Sequence, residues 1–586
     1  MNAGTNRTLA RSFSAVVDEP RESMAYDVLI VGGGPAGLAA SIRLRQLCLE
    51  HDKELSVCLI DKGSEIGSHI LSGNAFDPIA MHELFPDMAD RESDDHWTKQ
   101  LLDEQQSHAT PITKDEFLVL TDTSSYTIPN MLLPPQLHND GNYVISLSQV
   151  CRWLATKAEE LGVEIYPGFA ASEVLYHDDN DGGDKNTGVS VKGIATRDVG
   201  IGKDGNPKAT FERGMELHAR QTFFAEGARG SCSEEIIEKF GLRDDKAPQT
   251  YGLGIKEVWE VPEDKAQPGL VQHTLGYPLQ SSPMDKVFGG SFLYHQAPNL
   301  VLVGMVVGLD YANPYLNPYQ EFQKWKTHPA IREHLDGGTC ISYGARVLNE
   351  GGYHSIPKLT FPGGALVGCS AGFLNAVKIK GTHTAIKSGM LAAEAAFDNM
   401  KDGEAVADTG ELPTAETGPA ASEELTAYET AVADSWIQKE LYQVRNCHEA
   451  FSRWGIGGGL VYTGLAAHIT RGMEPWTLEH QKTDSEKTEK KETFEPISYP
   501  APDGVLTFDL LTNLQRSGTF HEDDQPSHLK IKPDLAHVPQ TLSLQVYGAP
   551  EQRFCPAGVY EYVKDAEETG VTINAQVRAP CCHTVQ

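Results

Sequence analysis

The chain has 586 residues, 40% of them hydrophobic and 22% charged, which are the proportions of a folded globular protein rather than a fibrous or disordered one. Its formal net charge of −32 argues against a nucleic-acid partner, because the excess of Asp and Glu repels phosphate backbones. Ten scattered cysteines do not make a disulfide framework and fit a reducing compartment. No apolar run is long enough to predict a membrane-spanning helix.

The N-terminal segment, residues 1–25, is predicted to precede the folded part of the chain. Its beginning carries Arg7 and Arg11, several Ser and Thr, and no acid before Asp18, which suits an organellar transit peptide ending near residues 11–14. An ordinary disordered N-terminus accounts for the same composition, so both interpretations stay open.

A glycine turn near the N-terminus predicts a dinucleotide site. The apolar run at residues 27–31 leads directly into this turn, and residues 38–49 follow it with helical spacing. Gly32 permits the tight turn, Gly34 lets the backbone approach a pyrophosphate, and Gly37 lets helix and strand pack closely. The unpaired N–H groups at the helix N-terminus would bind the phosphates.

An acid follows the second strand at the expected place. The apolar run at residues 57–60 ends in Asp61, whose carboxylate is placed to accept hydrogen bonds from a ribose. Ala36 lies within the glycine turn and completes the candidate cofactor-binding set of this region. A glycine-rich turn without a ligand is the alternative, and the flanking strand, helix and acid weigh against it.

A second glycine turn far downstream indicates FAD rather than NAD. Residues 363–368 read as a strand and turn, and residues 380–385 open an alanine-rich helix, with Gly368 and Thr382 as candidate cofactor contacts. This pattern looks like the second flavin motif of the glutathione-reductase-type fold, in which a late helix N-terminus faces the isoalloxazine ring. No second GxGxxG follows a strand, so no domain for a bound pyridine nucleotide is predicted.

Other polar and buried segments near these motifs have no assigned role. Residues 222–227 read as a buried strand and turn that lies either beside the cofactor or simply within the sheet. His69, His295 and His383 could bond the flavin or protonate a substrate. None is assigned as catalytic, because in flavin electron transfer the cofactor carries the chemistry.

Several segments together resemble one family, electron transfer flavoprotein–ubiquinone oxidoreductase, from about residue 26 to residue 576. They are residues 66–73, 289–295, 304–315, 343–361, 475–478 and 548–560. The resemblance implies that electrons arrive from reduced electron transfer flavoprotein, pass through FAD and a 4Fe-4S cluster, and leave as ubiquinol. It also implies one-sided attachment to the matrix face of the mitochondrial inner membrane.

The resemblance implies an α/β fold class: a glutathione-reductase-type FAD-binding fold, an interleaved α+β quinone-binding domain and a C-terminal ferredoxin-like domain, truncated here. The expected boundaries are 1–25 for the N-terminal segment, 26–170 for the first part of the FAD domain, 171–345 for the quinone domain with an FAD-domain strand near 222–230, 346–400 for the late FAD motif, 401–480 for an acidic linker and membrane-associated helical segment, and 481–586 for the ferredoxin-like domain.

The family's quinone contacts are two successive glycines, and the matching residues here are Gly289 and Gly290. Glycines expose backbone groups that a quinone oxygen can approach. From the pattern alone, a β-bulge or a turn is the alternative.

Two stretches suit the membrane attachment that the resemblance implies. Residues 66–85 are apolar with few charges, and residues 457–478 combine a short apolar run with Arg471 and Trp476, which favour an interface. Either stretch could instead be a buried core segment.

The expected cluster ligands match only in part. The family has one Cys followed, roughly two dozen residues later, by C-x-x-C-x-x-C, which supplies the thiolates that a 4Fe-4S cluster requires. Cys555 matches the first ligand. Counted without a gap, Arg578 and Thr584 occupy the first and third positions of the triplet and Cys581 the second. We therefore expect an altered C-terminus and no intact cluster.

Two other functions fit parts of the sequence. One is an FAD-dependent reductase or monooxygenase resembling geranylgeranyl reductases, which lack a ferredoxin tail; the RFCPAG segment at residues 553–558 weighs against it. The other is a stable but inactive truncated flavoprotein.

Overall fold

The computed structural model describes residues 20–70, 73–177, 189–403, 405–406, 423–519, 522, 524–526, 531–564 and 571–575. The strands are β1 (Ser23–Val31), β2 (Val57–Asp61), β3 (Asn74–Phe76), β4 (Thr110–Pro111), β5 (Lys114–Leu120), β6 (Ser125–Ile128), β7 (Tyr143–Ile145), β8 (Glu164–Pro167), β9 (Ala171–His177), β10 (Ser190–Thr196), β11 (Val199–Ile201), β12 (Pro207–Glu212), β13 (Glu216–Phe224), β14 (Tyr251–Glu260), β15 (Leu270–Gly276), β16 (Gly289–Gln296), β17 (Leu300–Gly308), β18 (Thr339–Asn349), β19 (Thr360–Phe361), β20 (Gly364–Leu366), β21 (Tyr560–Lys564) and β22 (Val571–Ala575).

The helices lie between these strands and in the C-terminal third. They are α1 (Pro35–Glu50), α2 (Ile79–Leu84), α3 (Trp97–Gln105), α4 (Leu147–Glu160), α5 (Ser231–Lys239), α6 (Pro318–Lys326), α7 (Pro329–Leu335), α8 (Thr382–Met400), α9 (Thr426–Asp434), α10 (Trp436–Gln443), α11 (Cys447–Leu465), α12 (Asp484–Lys487), α13 (Leu510–Gln515), α14 (Gln545–Tyr547) and α15 (Glu551–Phe554). A π-helical turn, Ala466–Thr470, continues α11.

The first large sheet is of the Rossmann-like kind. Its order is β19-β20-β13-β1-β2-β8, with β10 and β9 added beside β13, and β20, β13, β1, β2 and β8 run parallel. In β1 the last six residues are buried, as expected for a central parallel strand covered on both faces. Helices α1 and α8 pack closely on each other beside this sheet, which brings the early and late motifs together.

The second large sheet is almost wholly antiparallel. Its order is β18-β14-β17-β16-β15-β5-β6, and only β15 and β5 pair in parallel. One face packs against α6 and α7 through Phe322, Trp325 and Ile331 in a separate hydrophobic core. Three smaller sheets complete the fold: β3-β7-β4, β11-β12 and β21-β22.

Candidate functional site

The glycine turn has the geometry that a pyrophosphate site requires. Gly32 has φ +115°, and a Cβ there would collide with the carbonyl oxygen of Ala225. A Cβ at Gly37 would collide with the carbonyl oxygen of Gly32, so turn and helix are in close contact. At Gly34, in contrast, an added Cβ would meet no atom within 4 Å. Gly34 is the N-cap of α1, and the first turn of this helix holds no acidic residue, so its unpaired N–H groups are available to an anion.

Asp61 ends β2 beside this turn. Its Oδ2 accepts a hydrogen bond from the N–H of Gly33 at 2.8 Å, and its Oδ1 accepts one from the N–H of Gly63 at 2.7 Å. The carboxylate therefore fixes the glycine turn as well as the loop after β2. Because a carboxylate has about four acceptor positions, these two bonds leave room for a ribose hydroxyl.

The late motif lies directly against the early one. Gly368 has φ +61°, and a Cβ there would come within 2.7 Å of the Ala36 side chain. The N–H of Gly368 donates to Ser388 Oγ at 2.9 Å, which joins this turn to α8. Gly389 of α8 approaches the backbone of Ala36 so closely that a side chain would collide with it. Ala36 and Gly368, predicted separately, thus belong to one site.

Helix α8 begins at Thr382, whose hydroxyl accepts a hydrogen bond from the amide of Asn74 at 2.9 Å. Its first turn contains no acidic residue. Lys380, just before the helix, is buried, and burial, with the nearby charge of Lys378, lowers its pKa to about 8. A helix N-terminus with a buried lysine suits negative charge on a ring lying against it.

The second sheet presents another lysine, which is partly buried, to the same region. Lys256 donates to the carbonyl oxygen of Gly73 at 2.7 Å, one residue before Asn74, and burial lowers its pKa to about 8. Gly304 and Gly344 lie directly opposite Lys256 on the neighbouring strands, so the three share one face of the sheet. The sequence analysis missed Lys256; its only signal was a lysine inside an apolar strand.

Strand β13 ends at the glycine turn, and its last residues support that turn. The N–H of Ala225 donates to the carbonyl oxygen of Val31 at 2.8 Å. Glu226 accepts hydrogen bonds from the hydroxyl and N–H of Ser233, in the first turn of α5, at 2.6 and 2.7 Å. Removal from water raises the pKa of Glu226. Residues 222–227 therefore lie beside the turn.

Gly289 and Gly290 are the first two residues of β16. They lie opposite Val307 and Val306 of β17 in an unbroken register, so they form neither a bulge nor a turn. Gly289 has φ +145°, which favours glycine, and a Cβ at Gly290 would come within 2.9 Å of the Thr274 carbonyl oxygen. Both positions therefore leave no room for a side chain.

Three carboxyl groups lie at the same end of the second sheet. Gly252 and Gly308 face each other on β14 and β17, and the space left by their missing side chains is filled by Glu350 and Asp310. Asp484 accepts a hydrogen bond from the N–H of Tyr251 at 2.9 Å. Burial, with repulsion from Asp310, raises the pKa of Glu350 to about 8 and that of Asp484 to about 7.

Replacing Glu350 with glutamine is expected to stabilise the protein at alkaline pH. The folded protein keeps the Glu350 proton up to about pH 8, whereas the unfolded chain loses it near 4.5. The free energy of unfolding therefore falls, by up to about 1.4 kcal/mol per pH unit, as pH rises through this window, and the glutamine variant lacks that slope. Urea unfolding at about pH 6 and about pH 9 measures how far the free energy of unfolding falls with pH in each protein. Glu333→Gln, at an exposed side chain, is the control; equal pH slopes in Glu350→Gln and wild type would contradict the expectation.

The three histidines singled out in the sequence do not lie together. His295 is near the opposite end of β16 from Gly289, 3.1 Å from His334, and burial lowers its pKa to about 3. His383 contacts Glu440 at 2.8 Å and stacks on Trp436. The carbonyl oxygen of His69 accepts a hydrogen bond from Arg346 of β18.

The two candidate membrane segments differ in exposure. In residues 66–85 most of the described apolar side chains pack into the hydrophobic core around the first large sheet, as the core alternative expects, although Ile79 is 41% exposed. The packed residues are Ile66, Phe76, Ala80, Met81, Leu84 and Phe85. Residues 457–478 expose a row of apolar side chains about four residues apart: Val461, Leu465, Ile469 and Met473. Within the described residues, we find no helix with both the length and the apolar character needed to cross a bilayer.

A second exposed apolar group lies beside this row. Tyr126, Met131 and Leu132, in and after the β5–β6 hairpin, are 62, 80 and 61% exposed. Gln136 of the same segment donates to Gln443 at the end of α10 at 2.9 Å. Gln443 also contacts Gly472, which follows the π-helical turn. The two groups therefore belong to neighbouring surfaces, and the sequence analysis had found only one of them.

Cys555 follows α15 and is buried beside Ala557 and Val559. The hydroxyl of Tyr343 donates to the carbonyl oxygen of Pro556 at 2.8 Å, which ties this segment to β18. Arg578, Cys581 and Thr584 lie outside the described residues. Within the part of the chain that the structure describes, no group of three or more potential metal-ligating side chains occurs.

Three protein-family models match parts of the chain. The model described as "ETF-QO, ubiquinone-binding" matches residues 251–348, which contain Gly289 and Gly290. The model described as "Electron transfer flavoprotein-ubiquinone oxidoreductase, 4Fe-4S" matches residues 504–585, which contain Cys555. The "NAD(P)-binding Rossmann-like domain" matches residues 30–104, around the glycine turn.

Named relatives match almost the whole chain. A mitochondrial electron transfer flavoprotein-ubiquinone oxidoreductase from Homo sapiens is 49% identical over 574 residues, covering 96% of this chain and 86% of that protein. Proteins of the same name from Dictyostelium discoideum and Arabidopsis thaliana are each 50% identical, over 93% and 95% of this chain and 84% and 80% of theirs.

Proposed function

The chain belongs to the electron transfer flavoprotein–ubiquinone oxidoreductase family, and on this premise we propose that it passes electrons from reduced electron transfer flavoprotein to ubiquinone. The observation that carries the proposal is the ubiquinone-binding match over residues 251–348, which includes Gly289 and Gly290. Each ubiquinone takes up two electrons and two protons to become ubiquinol.

FAD is the cofactor that the glycine motifs fit, because Gly34 opens into free space and the first turn of α1 holds no acid. When bound, it supplies the one- and two-electron redox chemistry of the reaction. The proposed binding set is Gly32, Gly34, Ala36 and Gly37 for the pyrophosphate, Asp61 for the ribose, and Gly368 and Thr382 for the ring end. Because α1 offers unpaired N–H groups, it holds the negatively charged pyrophosphate without needing a basic side chain.

Lys256 and Lys380 extend this site toward the ring. Lys380 is buried and Lys256 partly so, and removal from water lowers the pKa of each to about 8. A positive charge held there favours negative charge on the flavin and so favours its reduction. Lys256 also links the second sheet to Gly73 of the first domain.

Gly289 and Gly290 are proposed to contact ubiquinone. With no side chains, they let a flat ring approach the backbone, and a quinone oxygen can accept a hydrogen bond from an N–H there. Cys555 is proposed as one ligand of the 4Fe-4S cluster in the matched domain. A 4Fe-4S cluster requires four thiolates, and the residues outside those described contain only Cys581 and Cys582, so with Cys555 the chain offers three at most and the expectation of no intact cluster stays.

Attachment to one face of the mitochondrial inner membrane, on the matrix side, is proposed from two supports. The relatives named above are mitochondrial proteins. The neighbouring exposed apolar groups around Met131 and Val461 form a surface that could enter a lipid headgroup layer without crossing the bilayer. Ubiquinone is itself a lipid-soluble substrate, which suits a site close to such a surface.

Replacing Gly290 with alanine is expected to raise KM for ubiquinone about tenfold, because the new methyl forces β15 and β16 apart by crowding the Thr274 carbonyl. The KM for ubiquinone is measured from the steady-state reduction of a short-chain ubiquinone by reduced electron transfer flavoprotein. Gly254→Ala is a matched control, since Gly254 also lies opposite Val306 but an added Cβ there stays at 3.5 Å or more from its neighbours.

Flavin content and the rate of flavin reduction should be the same in both variants. If Gly290→Ala and Gly254→Ala have the same KM for quinone, the assignment of Gly290 fails. If the wild-type protein with bound FAD reduces no ubiquinone in this assay, the proposed function itself is wrong.

A further inference from the structure

Two buried histidines connect the protein surface with the residue that precedes Gly289. His448 is the second residue of α11, and its ring packs edge to face on Phe288, with ring centroids 4.1 Å apart. Phe288 also contacts Phe451 of the same helix at 5.4 Å. The first turns of α11 therefore cover the start of β16, where the quinone glycines lie.

The histidines form a continuous chain of polar contacts. Nδ1 of His448 and Nε2 of His480 are 3.0 Å apart, and Nδ1 of His480 is 2.7 Å from a carboxylate oxygen of Glu449. The other oxygen of Glu449 accepts a hydrogen bond from Arg453 at 2.7 Å. Arg453 has a side chain 41% exposed, whereas both histidines are buried, so the chain runs from the surface inward. At the inner end, Nε2 of His448 is buried without a hydrogen-bond partner.

Charged groups surround this chain on several elements. Lys487 of α12 lies near His448 and contacts Asp310 at 2.9 Å, while His354 and Arg453 lie near His480. Glu479, next to His480 in the chain, contacts His354 at 4.0 Å. The groups facing the two imidazoles are therefore Glu449, Arg453, Lys487 and His354, with Asp310 and Glu479 behind them.

These surroundings keep the inner imidazole neutral. Burial, followed by the neighbouring charges of His480 and Lys487, lowers the pKa of His448 well below its ordinary value. Burial alone would raise the pKa of Glu449, but the close contact with His480 and the hydrogen bond from Arg453 outweigh it and lower that pKa to about 2. A neutral imidazole has one N–H donor and one acceptor nitrogen, so it can pass a proton on without storing charge.

We propose that His480 and His448 relay protons from the surface at Glu449 to a quinone bound at Gly289 and Gly290. The N–H at Nε2 of His448 gives its proton to a quinone oxygen, His448 takes a proton at Nδ1 from Nε2 of His480, and His480 takes one at Nδ1 from the adjacent carboxyl group of Glu449, which takes up a proton from solvent at the surface. Both imidazole rings then turn over, which restores the starting N–H positions before the second transfer. Two such transfers, with two electrons from the flavin, convert the quinone to the quinol. This proposal rests on the proposed function, because it requires a quinone at these glycines.

A relay is needed because charge on a buried quinone is costly. Each electron that reaches the quinone leaves a negative charge on an oxygen, and an unpaired buried charge costs several kcal/mol. Proton transfer through hydrogen-bonded imidazoles removes that charge without admitting bulk water to the site.

Replacing His448 with phenylalanine keeps an aromatic ring against Phe288 but breaks the relay. We expect ubiquinone reduction to slow about a hundredfold, with a steeper decline as pH rises and a larger solvent deuterium isotope effect. Flavin reduction by reduced electron transfer flavoprotein should be unchanged. His480→Phe should behave alike, and millimolar imidazole should partly restore the rate of His448→Ala.

The matched control is His334→Phe, which breaks the other buried histidine pair, His295 with His334, at the far end of β16. Its ubiquinone reduction should equal that of the wild type. The relay is overturned if His448→Phe and His480→Phe match this control, or if their slowing is independent of pH and imidazole does not help. A wild-type protein that reduces no ubiquinone contradicts the proposed function instead.

Discussion

Replacing Gly34 with leucine is expected to yield a folded protein that holds almost no FAD. An added Cβ at Gly34 meets no protein atom within 4 Å, so a side chain can start there without displacing the backbone. The same space is where the phosphates must approach the N–H groups of α1. Losing two charge-assisted hydrogen bonds, each worth about 1.5–3 kcal/mol, weakens FAD binding by about a hundredfold or more.

Flavin absorbance per chain, iron per chain and far-ultraviolet circular dichroism of the purified protein measure this result. Gly464→Leu is the matched control, because Gly464 also has open space around it but lies in α11, away from the glycine turn. The control should keep the wild-type flavin content. A Gly34→Leu protein that is folded and retains full flavin would show that the turn does not hold the pyrophosphate.

The same measurements separate the two cofactors. Cys555→Ser should leave the flavin content unchanged, since Cys555 belongs to a small cluster apart from the glycine turn. Any iron bound by the wild-type protein should fall in Cys555→Ser and stay constant in Gly34→Leu. Electron paramagnetic resonance after reduction identifies that iron as a 4Fe-4S cluster if its signal disappears with the iron.

The flavin motifs could be predicted from sequence because their requirements are local. Gly32 needs a positive φ, Gly37 needs contact with a backbone oxygen, and both requirements select glycine at a fixed spacing. The contact between Ala36 and Gly368 joins residues more than three hundred positions apart, and it was reached only through the known pattern of a late flavin motif.

The rest of the site depends on strand pairing that periodicity does not reveal. Glu350 and Asp310 become neighbours because Gly252 and Gly308 lie opposite each other on β14 and β17. Lys256 reaches Gly73 only because the second sheet packs over the first domain. Residues 66–85 were a candidate membrane segment because apolar residues with few charges look the same in a core and at an interface.

Replacing Val461, Leu465 and Ile469 together with serine is expected to release the protein from lipid vesicles. These side chains are 66, 48 and 69% exposed along one side of α11 and its π-helical continuation, while Gly459, Thr463 and Ala466 on the other side are buried. Covering such a row of exposed apolar side chains removes them from water, which is favourable. A headgroup layer provides such a cover, and Arg471 and Trp476 nearby are residues that favour an interface.

The expected loss is large because the three contributions add. Burying each apolar side chain contributes about 1.5–3 kcal/mol, so removing all three lowers vesicle affinity by roughly a thousandfold. Flotation with phosphatidylcholine vesicles measures the bound fraction. The matched control changes Leu49, Val199 and Ile341 to serine, which are 65, 41 and 48% exposed and lie outside α11. The control removes the same three side-chain types. If both triple variants are released equally, general surface hydrophobicity, not this helix, attaches the protein. If only the α11 variant is released and its flavin content is intact, the attachment belongs to this face of α11.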